Sequence, residues 1–104
     1  MSLKNRKPVR WLVAASEDFA QIISDIAAER PRAAEKLAER ILHRVELLAD
    51  FPYLGSVCPY YRKARQLVHG NYIVYYTVHR TELVVRAVVH GARFFSSRWF
   101  LRPE

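Results

Sequence analysis

The chain has 104 residues, 51% of them hydrophobic and 26% charged, which suits one globular domain over residues 1–104 and excludes a disordered or fibrous chain. No apolar run approaches the ~20 residues that cross a bilayer, and the opening MSLKNRKPVRW has no apolar signal core, so a cytoplasmic protein without membrane contact is expected. The formal charge of +7 is uneven: residues 1–50 hold nine Lys/Arg against eight Asp/Glu, whereas residues 51–104 hold eight Lys/Arg against only Glu82 and Glu104.

Residues 8–14 (PVRWLVA) are apolar and too short for a helix, which predicts a first strand. Ser16 is placed to cap a helix whose first turn holds Glu17 and Asp18, and Phe19, Ile22, Ile23, Ile26 and Ala27 lay one apolar stripe along it to about Arg30. Pro31 fits the first turn of a second helix. Ala34, Leu37, Ala38, Ile41, Val45 and Leu48 carry that helix to about Asp50, and the two form a helical hairpin. Arg32, Lys36, Arg40 and Arg44 make a basic stripe that reads as a solvated face paired with Glu35 and Glu39.

Phe51-Pro52-Tyr53-Leu54-Gly55 stops the second helix and opens a loop that runs to Tyr61. Residues 62–68, 71–79 and 82–90 are then rich in Val, Ile, Tyr and Thr, with Gly70-Asn71 and Arg80-Thr81 as tight connections. The prediction is an α+β domain in the order β-α-α-β-β-β, with the hairpin on one face of a small, mainly antiparallel four-stranded sheet. In the last strand, alternation sets Leu83, Val85, Ala87 and Val89 against Glu82, Val84, Arg86, Val88 and His90, which puts Arg86 on the face away from the core. In the preceding strand the set Tyr72, Val74, Tyr76, Val78 and the set Ile73, Tyr75, Thr77 are both apolar, so alternation does not choose the buried one.

Cys58 is the only cysteine and has no partner at disulfide or metal-ligand spacing, so a buried or half-buried thiol is expected and no metal site. His43, His69 and His79 lie on a helix or beside turns and read as solvated. The excess of positive charge after residue 50 suits a polyanion, whether nucleic acid, a nucleoprotein enzyme or an acidic protein. Phe94 to Glu104 is an aromatic extension that either folds back over the core or sheet edge, or docks a partner.

Five stretches follow one another in a telling order: the opening strand, the helix SEDFAQIISDIA, a second helix closing on ELLADFPYLGS, the stretch RKARQLVHGNYIVYYTV, and VVRAVVHGAR. In this order, over about residues 9–93, the chain resembles the ParE/RelE toxins of bacterial type II toxin–antitoxin systems. The resemblance implies the compact β-α-α-β-β-β fold, no cofactor, and a cognate antitoxin whose acidic or amphipathic tail wraps the toxin in a hetero-oligomer.

Members of that superfamily either bind DNA gyrase and trap its cleaved-DNA state or cut mRNA on the ribosome, and a shared fold does not separate the two. RNA cleavage needs a proton acceptor, a donor to the leaving oxygen and cations around the transition state. His90, Lys63, Arg65 and Arg86 are the residues such a ribonuclease would use here. The ending His90-Gly91-Ala92-Arg93 is similar to that of ParE-like members, which lack the ribonuclease groups. The resemblance therefore implies gyrase inhibition by binding, with no catalytic residue; a ribosome-dependent mRNA endonuclease and an inactive interaction module are the alternatives. Arg62, Arg65, Tyr75, Arg86, His90, Arg93, Trp99 and Phe100 are the expected contacts to target or antitoxin.

Overall fold

A computed structural model describes residues 6–104. Its elements are β1 (Val9–Trp11), α1 (Val13–Ala27), α2 (Pro31–Leu47), β2 (Ser56–Val57), β3 (Arg65–His69), β4 (Tyr72–Val78), β5 (Leu83–His90) and a closing 3-10 helix (Ser97–Leu101). The sheet has five strands in the order β1-β5-β4-β3-β2, not four, because the loop after α2 contributes the two-residue β2. β1 runs parallel to β5, and the remaining pairs are antiparallel. Both edges are therefore very short strands, a form that leaves little free ladder for unwanted pairing.

The first helix starts earlier than its sequence suggests. Leu12 is buried, and its N–H still donates to Val85 as a continuation of β1; the helix begins at Val13, and Ser16 donates its N–H to the Leu12 carbonyl inside the first turn. Ser16 is thus no cap, because burying Leu12 draws the strand directly into the helix. Asp18 is freed for another task. Its Oδ2 accepts the Val88 N–H of β5, 3.1 Å away, at a point beyond the reach of the three-residue β1.

Phe19 and Ile22 of α1 and Ile41, Val45 and Leu48 at and beyond α2 pack on Leu67, Val74, Tyr76, Leu83, Val85 and Val88. The stripes along both helices are core, as their periodicity predicts. On the outer side of α2, Arg32, Lys36 and Arg40 are exposed and make no ion pair with Glu35 or Glu39 among the described residues. Arg44 turns inward and donates to the Val68 carbonyl of β3.

The opposite sheet face is not open. Cys58, Ala64, Tyr75, Ala87, Val89, Trp99 and Phe100 form a second buried cluster, with Tyr61, Ile73 and Phe95 against it. Both faces of β4 are apolar because both are buried, one under the helices and one under the C-terminal segment. β5 alternates differently from its sequence reading. Tyr75 pairs with Ala87 and Tyr76 with Val85, so Arg86 is the extra residue of a β-bulge. The bulge puts Leu83 and Val85 on the helix side but Ala87 and Val89 on the other, splitting a set that simple alternation keeps together.

Candidate functional site

Arg65 opens β3 and turns its guanidinium back onto the loop after α2. Its Nε donates to the Gly55 carbonyl at 3.1 Å, its Nη2 to the Tyr53 carbonyl at 3.2 Å, and the group lies 5.1 Å from the centre of the Tyr53 ring. Tyr76 completes the latch from below: its hydroxyl accepts the Gly55 N–H at 3.0 Å and donates to the Pro52 carbonyl at 2.9 Å. A Cβ on Gly55 would stand 2.5 Å from the Gln66 carbonyl oxygen, so only glycine fits. The order Phe-Pro, Gly, Arg and tyrosine-rich strand is thus a device that pins the loop. Arg65 is largely consumed by it.

Arg86 sits at the bulge and is only 6% exposed. Its Nε donates to Thr77 Oγ1 at 3.1 Å and its Nη2 to Glu104 at 3.0 Å. Glu104 also meets Arg10 at 3.0 Å, and Arg10 forks onto Glu82 through Nε and Nη2, both at 3.0 Å. These charge-assisted bonds hold the Glu82 and Glu104 carboxyls below their usual range, and for both the bond from Arg10 is the largest cause; the Arg10 guanidinium is raised by its bonds to Glu82 and then Glu104. A second node lies close by: Arg102 pairs with Asp18 and donates to the Arg86 carbonyl. The C-terminal segment is therefore fastened by charge at two places.

Beside Arg86 opens a cleft of about 360 Å³ lined by Tyr61, Lys63, Thr77, Val78, His79 and Phe100 together with Arg86. His79, expected to be solvated, is exposed, yet its Nε2 is 2.9 Å from Thr77 Oγ1. Sequence reasoning did not find the grouping of Tyr61, Thr77, His79 and Glu104 around Arg86. It depends on a bulge and on the return of the C-terminal segment, neither of which has a local signature.

His90 stands elsewhere. It pairs with Tyr72, which packs on the helix side, and directly opposed residues share a face. Its ring meets the Tyr72 ring edge-on, and its Nδ1 accepts the Ala92 N–H at 3.0 Å. So the four ribonuclease candidates do not converge: Lys63 and Arg86 share a cleft, Arg65 holds a loop, and His90 closes a turn on the other face.

Tyr75, Trp99 and Phe100 are buried together, with Trp99 stacked on Tyr75 at 5.3 Å and Phe100 on Tyr61 at 4.5 Å. Burial raises the Tyr75 hydroxyl above its ordinary pKa. As folded, none of the three offers a large contact surface. Of the expected contacts, Arg62, His90 and Arg93 are exposed. Arg93 lies 5.9 Å from the Trp99 ring and borders a cleft of about 610 Å³ with Tyr60, Gly91, Ala92, Phe94 and Phe95. Phe94 is 96% exposed there, an apolar side chain left in water at the lip of a cleft.

The family model for the "ParE toxin of type II toxin-antitoxin system, parDE" matches residues 9–95. The chain belongs to the ParE toxin family. It is a ParE-type toxin of a type II toxin–antitoxin system, and that membership implies an antitoxin partner. In fold it is similar to a chain of a solved structure described as "Chromosomal ParDE TA system from P. aeruginosa", with a TM-score of 0.72 and 18% identity over 83% of this chain and 97% of that one. Among curated proteins no sequence matches it. The family match ends before Trp99 and Phe100, so the covering of the second sheet face lies partly outside the ParE-type region.

Proposed function

We propose that this ParE-type toxin inhibits DNA gyrase by binding it and stabilising its cleaved-DNA state, and that a cognate antitoxin neutralises it by covering the toxin's basic surface. The observation that carries the reading is the separation of His90 from Lys63 and Arg86 by the thickness of the sheet. General acid–base work needs its groups within hydrogen-bond reach of one substrate, and this set has no such common point. Binding asks only for a complementary surface. Arg62, Arg93, Tyr60 and Phe94 supply exposed cationic and aromatic contacts for one, the pairing enriched where partners are held tightly.

A second reading, cleavage of mRNA, is favoured by a different set than the sequence suggests: Lys63, His79, Arg86 and Tyr61 do line one cleft. One experiment separates the two. Purified protein is added to gyrase supercoiling and cleavage assays and, in parallel, to a translating extract. Cleaved-DNA complexes without mRNA cuts are expected, unchanged by His90→Ala. Translation-dependent cuts with gyrase unaffected would overturn the reading, and loss of those cuts in His79→Ala would assign them to the cleft.

A further inference from the structure

An arginine keeps its charge across the working pH range, so a buried guanidinium must always be faced by an anion or by well-aligned acceptors. At Arg86 the anion is Glu104, whose own side chain is 53% exposed. A buried cation is therefore neutralised by a half-solvated carboxylate on a terminal arm of chain. The Thr77 hydroxyl fixes the guanidinium plane through Nε, while Nη1 has no hydrogen-bond partner among the described residues. None of the residues that line the adjoining cleft is acidic.

The donors around that cleft exceed the needs of one carboxylate. Arg86 and Lys63 supply two cations, and the hydrogen-bonded pair of Thr77 and His79 supplies one further donor, a set suited to the several oxygens of a tetrahedral phosphate. The half-buried Tyr61 ring, backed by the buried Phe100 ring stacked on it, forms part of its wall, and an aromatic ring beside cations is what a nucleotide base and its phosphate require. Its volume of about 360 Å³ admits one small ligand and not an extended peptide.

We propose that this cleft is a phosphate site for a nucleotide, with the phosphate held between Arg86 and Lys63, and that Glu104 is its tethered competitor. The ligand takes the place at Arg86 that the Glu104 carboxylate now fills. Glu104 then remains on Arg10, which already holds it through two further bonds. Occupation of the cleft and release of Glu104 from Arg86 are one event. The inference stands apart from the gyrase reading, because it concerns what binds this cleft and not what the toxin poisons.

The test uses the full chain in three forms: unaltered, Glu104→Gln, and Glu104→Gln with Lys63→Ala. Each is titrated by calorimetry with inorganic phosphate, a 5′-nucleoside monophosphate and an Asp/Glu-rich peptide. Glutamine keeps the shape of the arm and removes its charge, so phosphate should bind Glu104→Gln about five- to tenfold more tightly than the unaltered chain. The nucleotide should bind more tightly than phosphate, and Lys63→Ala should cancel the gain. Lys63 is exposed, so its loss leaves folding intact where a change at buried Arg86 would not. Equal phosphate affinity with and without Glu104, a gain indifferent to Lys63, or preference for the acidic peptide would each overturn the proposal.

Discussion

Tyr76 is fully buried, and among the described residues its hydroxyl is the only hydrogen-bond partner of two groups of the loop, the Gly55 N–H and the Pro52 carbonyl. Removing it orphans both. Tyr76→Phe should therefore cost about 1–3 kcal/mol, more than an ordinary hydrogen bond, because a buried donor left unpaired loses its hydration without return. Urea denaturation should show a lower midpoint at unchanged slope; a shift under 0.5 kcal/mol would mean that water replaces the hydroxyl. Arg65→Ala belongs to the same latch. It should lower stability by about 1–2 kcal/mol through three lost contacts to loop carbonyls and one to the Tyr53 ring. The cue at Arg65 was legible as an arginine after a glycine turn, but its use was not: a cation drawn onto loop carbonyls 10 and 12 residues earlier looks, in sequence, the same as one left free for a partner.

At the scale of elements, the helices and the three long strands were readable because each has a regular apolar period that packing preserves. What escaped was set by contacts distant in the chain. Ser16 looked like a cap, yet Leu12 is drawn into the core and starts the helix four residues sooner. The one-residue bulge at Arg86 reverses the faces of Ala87 and Val89, and a bulge without glycine leaves no mark in an unbroken Val-rich run. The C-terminal segment is the element most open to control by pH. Glu82 and Glu104 both titrate below their ordinary value of 4.5 in the folded chain, Arg10 being the chief cause for each. Depressed acids stabilise above that ordinary value, and their contribution disappears as pH falls through the folded value. Near neutral pH the segment should stay fastened, and it should loosen only as pH falls below that ordinary value and through the lower folded one. Trp99 fluorescence, read in a Trp11→Phe background, should shift toward the solvent-exposed emission over that range before the helices unfold. A single transition shared with the far-ultraviolet circular dichroism would show instead that the segment and the domain unfold as one.

The whole molecule has a sheet buried on both faces in a chain of only 104 residues. The helix-side core lies within the region shared with the ParE family, and its outline was legible because family order and periodicity agree. The second core combines that region with aromatic residues beyond it. Phe95 is the last residue of the family match, while Trp99 and Phe100 follow it and close over Tyr75. In sequence such a run of aromatics fits a cover and a docking surface equally well, and only the seating of the rings decides. Trp99 is 5% exposed and Leu101, two residues on, is 81% exposed. If the segment is a structural layer, these two neighbours must behave oppositely. Trp99→Ala should cost about 3–5 kcal/mol, as for other buried large aromatics, whereas Leu101→Ala should stay within about 0.5 kcal/mol. Thermal unfolding of both variants measures the contrast directly. Should Trp99→Ala unfold at the temperature of the unaltered chain while gyrase or antitoxin binding is lost, the segment would be an interface that rests on the sheet, and the second core would contribute little to holding the toxin together.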